Sequence, residues 1–105
     1  MQLAPGEFLF KEGEKGEKMF VLLEGEMDVL LGDFVLETVK SGALIGEMAL
    51  IDDSPRSATA VALTDVTLAP IKENQFLFLV QNTPFFALSV MRVLARRLRR
   101  QNKFV

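Results

Sequence analysis

Cysteine and histidine are both missing from this chain of 105 residues. Without cysteine there is no disulfide and no thiolate nucleophile, and without histidine there is no imidazole to move protons. The two absences together exclude every familiar zinc site. Long apolar runs are missing too, since no stretch approaches the roughly 18 uncharged apolar residues that a membrane-spanning helix needs. The N-terminal stretch MQLAPGEFLFKEGE lacks the basic-then-apolar pattern of a secretory signal, so the expected location is cytoplasmic.

Acidic side chains run out before the chain does. Residues 1–73 hold six basic and all 14 acidic side chains, a net of −8, whereas residues 74–105 hold six basic and none acidic, a net of +6. The six are Arg92, Arg96, Arg97, Arg99, Arg100 and Lys103. Such a tail either meets nucleic acid or a membrane surface, or is a solvated helix face that complements an acidic body. Half of the residues are hydrophobic, enough for one core, and a single domain over 1–105 is expected.

From Phe8 to Val39 short apolar runs alternate with glycine-containing breaks: FLF, MFVLL, MDVLL and FVLETV. Runs of this length read as strands, and the Gly32-Asp33 break suits a tight hairpin whose first central residue takes positive φ. ATAVAL and VTLAPI, joined by Thr64-Asp65, read as two more strands, with Pro70 at an edge or a bulge. Many short strands in succession predict a sandwich or barrel, so the expected fold is mainly β with α, its β part spanning about 6–72. The period then changes. A short helix is expected at about Glu73–Gln81 and a longer one from Thr83-Pro84, with threonine as N-cap and proline in the first turn. Leu88, Met91, Ala95 and Leu98 recur at helical spacing and predict the stripe by which this helix packs on the barrel. The helical region extends to about 103.

One stretch, Gly46 to Ala60, GEMALIDDSPRSATA, fits neither pattern. Gly46 permits a backbone conformation closed to other residues and a close approach to the main chain. Glu47-Met48-Ala49-Leu50 are good helix formers, enough for one turn whose first N–H groups have no intrahelical partner. Asp52-Asp53-Ser54-Pro55 turns the chain, and Arg56 enters the next strand with a guanidinium able to fold back. Backbone N–H groups plus one arginine suit a monoanionic phosphate, which the arginine grips bidentately. Glu47 repels phosphate but suits a neighbouring hydroxyl donor such as a ribose 2′-OH. A cyclic nucleotide offers both groups in rigid proximity.

Gly46-Glu47-Met48-Ala49-Leu50 followed by Pro55-Arg56-Ser57-Ala58-Thr59 resembles the phosphate-binding cassette of the cyclic nucleotide-binding domain family. Gly13-Glu14-Lys15-Gly16-Glu17 and Phe20 to Gly25 are similar to that family's glycine-punctuated early strands. The resemblance runs from about Pro5 to Asn102. It implies an antiparallel β-roll, a jelly-roll barrel of the double-stranded β-helix type, with a short phosphate-binding helix and C-terminal helices packed on it. It implies that Arg56 pairs with the cyclic phosphate and that the backbone N–H groups of Ala49 and Ser57 contact it. Glu47 would accept the ribose 2′-OH, and Gly46 would lie against the ribose. The implied ligand is cyclic AMP, with cyclic GMP open because Ser57 suits either, and no cofactor beyond that ligand is expected. Ile45 stands where the family usually has an aromatic. Family members usually add a helix before the first strand and a lid helix after the basic one. Neither is legible here, so the expectation is a stand-alone or truncated bacterial-type binding core, a homodimer or fused to an effector domain.

Three other readings compete. Asp52 and Asp53 could suggest a metal, but adjacent carboxylates before Ser-Pro are ordinary turn formers. The barrel could evoke metal-dependent cupins, yet those use histidine ligands, and Ser57 has no base partner; no enzyme is expected. The third is a β-roll scaffold with a vestigial pocket, whose basic helix contacts nucleic acid or protein.

Overall fold

A computed structural model describes residues 1–51 and 54–102. The expected Asp52-Asp53 turn and Lys103 of the basic tail lie outside the described residues. Eight strands come first among those described: β1 (Gln2–Leu3), β2 (Phe8–Phe10), β3 (Lys18–Glu24), β4 (Met27–Leu31), β5 (Phe34–Val39), β6 (Leu44–Ile45), β7 (Thr59–Ala62) and β8 (Val66–Lys72). A single helical turn, α1 (Met48–Ile51), interrupts them, and α2 (Glu73–Asn82) and α3 (Pro84–Asn102) follow.

The strands form two four-stranded sheets, ordered β1-β8-β3-β6 and β2-β7-β4-β5, with every pairing antiparallel. Consecutive strands repeatedly fall in different sheets, as in a jelly roll. The β4–β5 hairpin closes as its sequence predicts: Leu31 faces Phe34, and Gly32 between them has φ +59°. Alternation places Ala60 and Ala62 of β7 and Val66 and Leu68 of β8 inward. They meet Phe20, Leu22, Met27, Val39 and Ile45 in one core to which both sheets contribute. Each large apolar side chain so buried stabilises the fold by about 1.5–3 kcal/mol.

Several sequence expectations shift. β1 and β6 were not expected, because a strand of two residues has no period to read. β7 begins at Thr59, so Arg56 precedes the strand rather than entering it. Pro70 pairs with Phe20 of β3, while β1 matches β8 only at Val66 and Thr67. The proline therefore sits where β8 has one strand neighbour, and its missing N–H costs no ladder bond there.

The strands and α1 lie in one compact unit, Met1–Glu73, and a second unit that begins at Asn74 holds α3 and all of α2 but its first residue. In α3, Leu88 and Met91 of the expected stripe are exposed and Ala95 is half-buried, while Val90, outside that stripe, is buried. The first half of α3 is apolar nearly all round, so Phe86, Val90 and Leu94 satisfy the helical period as well as the expected set. The side chain of Leu98 lies outside the described ones. Phe76 and Phe86 stack edge to face with centroids 5.7 Å apart, whereas Phe78 and Phe85 are exposed. Among the described residues no single helix is long and apolar enough to cross a membrane; α2 and α3 reach that criterion only as a pair bent by 113°.

Candidate functional site

Residues 46–58 carry the chain from β6 in one sheet to β7 in the other. Gly46 has φ +76°, and a Cβ there would lie 2.5 Å from Arg56 Nη1 and 3.2 Å from the Phe10 ring. Only glycine meets both demands. Next comes Glu47, fully buried, whose carbonyl accepts the Leu50 N–H at the start of α1.

Arg56 is fixed first through its backbone. Its N–H donates to the Glu14 carbonyl at 2.8 Å, and its carbonyl accepts the Gly13 N–H at 2.8 Å. The side chain then turns inward and is only 7% exposed. Nη1 donates to the Gly46 carbonyl at 3.0 Å and Nη2 to the Lys18 carbonyl at 2.7 Å. The guanidinium lies 4.3 Å from the centroid of Phe10 and 5.9 Å from that of Phe20. Burial pushes its pKa below the ordinary arginine value, while the charges of Glu14 and Glu47 act the other way. An arginine so placed keeps its proton at neutral pH.

Nε of Arg56 is buried and has no hydrogen-bond partner. A buried donor left in that state costs about 1–3 kcal/mol, and an acceptor brought to it removes the cost. The arrangement is a planar cation anchored at both terminal nitrogens, with donor capacity left over: a receptor for one small anion.

Of the residues singled out from sequence, Gly46, Glu47 and Arg56 are brought together. Ala49 lies in α1, and Ser57 is exposed one position past the arginine. Sequence reasoning missed Phe10, Phe20, Gly16, Glu14 and the Lys18 carbonyl as neighbours of the guanidinium. The two phenylalanines sit in apolar strands and read as core, and a backbone carbonyl leaves no mark in a sequence. Gly16, in the break before β3, was the one available signal.

The family profile described as the cyclic nucleotide-binding domain matches residues 1–83. The chain is 43% identical over 75 residues to a cAMP-dependent protein kinase regulatory subunit of Colletotrichum orbiculare, covering 69% of this chain and 19% of that protein. It is 33% identical over 81 residues to a cGMP-dependent protein kinase of Caenorhabditis elegans, covering 77% of this chain and 10% of the kinase. The crystal structure of the Thermus thermophilus catabolite activator protein superposes with a TM-score of 0.86 at 31% identity, over 97% of this chain and 50% of that one. The chain thus spans less than a fifth of these two kinase relatives and half of the bacterial regulator.

Proposed function

The chain belongs to the cyclic nucleotide-binding domain family, and from that premise we propose that residues 46–57 bind cyclic AMP, with cyclic GMP the competing ligand. In this reading Arg56 pairs with the cyclic phosphate, assisted by the backbone N–H groups of Ala49 and Ser57. Glu47 accepts the ribose 2′-OH, and Gly46 lies against the sugar. The observation that carries the reading is the Arg56 guanidinium, buried, anchored by two carbonyls and still holding a buried N–H donor without a partner. Glu47 supports it, because a fully buried carboxylate beside a phosphate receptor suits a ligand that presents a hydroxyl along with its anion. Binding would act through the C-terminal helices, biasing them and any segment attached to them toward one arrangement.

Isothermal titration with cyclic AMP and with cyclic GMP tests this, with 5′-AMP as a control that keeps base, ribose and phosphate but not the ring. A cyclic nucleotide should bind well above the control, and 2′-deoxy cyclic AMP should lose about tenfold, the worth of one hydrogen bond to a charged group. Silence from both cyclic nucleotides would overturn the reading.

A further inference from the structure

Phosphate binding by itself asks only for a cation, yet the Arg56 guanidinium is mounted on more than its two carbonyl anchors. The Phe10 and Phe20 rings beside it pack on one another, centroids 6.4 Å apart. Gly16 completes the surround: a Cβ there would fall on Nε and Cζ of Arg56. Gly13 has φ +86°, but Gly16 needs no left-handed backbone, so what its missing Cβ provides is room.

These contacts divide the task. Carbonyls accept hydrogen bonds roughly in the guanidinium plane, so two of them leave the group free to rock about the line joining its terminal nitrogens. That rocking would swing Nε, the donor still without a partner. An aromatic face beside the group opposes it, since a cation is held over the ring by the quadrupole. We infer that Phe10, backed by Phe20 and given room by Gly16, is a positioning residue that holds the Arg56 guanidinium in its anion-receiving orientation before ligand arrives. The inference rests on reading Arg56 as the partner of the cyclic phosphate.

The test uses the full chain, labelled with nitrogen-15, and follows the Arg56 Nε–H resonance, assigned by its loss in Arg56→Lys. Ring currents should displace that resonance in the wild type and in Phe10→Tyr. In Phe10→Leu it should return toward its ordinary position, and cyclic AMP affinity should fall by about tenfold, the order expected of a partly desolvated cation–π contact. Phe10→Tyr should bind within about twofold of wild type on the same grounds. Gly16→Ala should move the resonance and weaken binding with both rings intact, which keeps the test usable if Phe10→Leu folds poorly. A resonance unmoved in both variants, or wild-type affinity in folded Phe10→Leu, overturns the inference. If the wild type binds neither cyclic nucleotide, the function proposed above fails, while the resonance still decides the mount.

Discussion

The strand unit and the helical unit treat apolar surface in opposite ways. In the strands Met19, Leu22, Met27 and Ala60 are fully buried, whereas α2 buries none of its residues, and Phe78 and Phe85 are 64% and 81% exposed. The exceptions among the strands are Phe8, Leu23 and Leu31, and above all β5 at its sheet edge, where Phe34, Val35 and Leu36 stand exposed. The charges divide in the same way, since the two charged residues buried among the described ones, Glu47 and Arg56, lie in the strand unit. A buried charge must be held by defined partners, and the strands supply them. The two regions differ in use: one buries its apolar surface around two held charges, and the other leaves much of its apolar surface exposed.

The largest expected effect probes that contrast directly. Leu22→Ala should lower stability by about 2–5 kcal/mol in urea unfolding, and Phe85→Ala should change it by no more than about 0.5 kcal/mol. Equal losses would erase the distinction between the units. Next in size, Arg56→Ala should weaken cyclic nucleotide binding by about 2–4 kcal/mol in calorimetry, because the phosphate loses its charged partner. A mutant that binds as the wild type does would remove the receptor from the strand unit. The smallest effect concerns salt. Raising it from about 50 to about 200 mM should weaken cyclic AMP binding only a fewfold, since a buried pair is little screened. A basic helix gripping several phosphates of a nucleic acid would instead lose on the order of a thousandfold or more over that range. A steep slope would move recognition to the helices.

Much of this was legible in the sequence for reasons that are local. Gly32-Asp33 announces its hairpin because the turn chemistry and the flanking apolar runs agree. Gly46 and Arg56 stand out because the stretch that holds them fits neither the strand nor the helical pattern, and Arg56 is its one basic side chain. What was not legible depends on distant partners. β6 exists because Leu44 and Ile45 pair with Val21 and Phe20, and nothing within two residues encodes that. Phe10 and Phe20 follow strand patterning faithfully, and the pattern says that they face something without saying that it is a cation. In α3 the period failed for the opposite reason, an excess of apolar residues that left two faces equally eligible.

Arg56 also works as a stitch between layers. Its anchors at Gly46 and Lys18 belong to β6's end and to β3 of one sheet, and the ring under it, Phe10, belongs to β2 of the other. Neither sheet alone contains these partners of Arg56, so under the function proposed above a chain with either sheet melted would have no place for the anion. Ligand and fold are then linked by mass action: each tenfold rise in free ligand above its dissociation constant adds about 1.4 kcal/mol to the stability of the whole roll. A melting curve of this protein would thereby double as a gauge of ligand concentration, and a small anion would acquire leverage over strands it never touches.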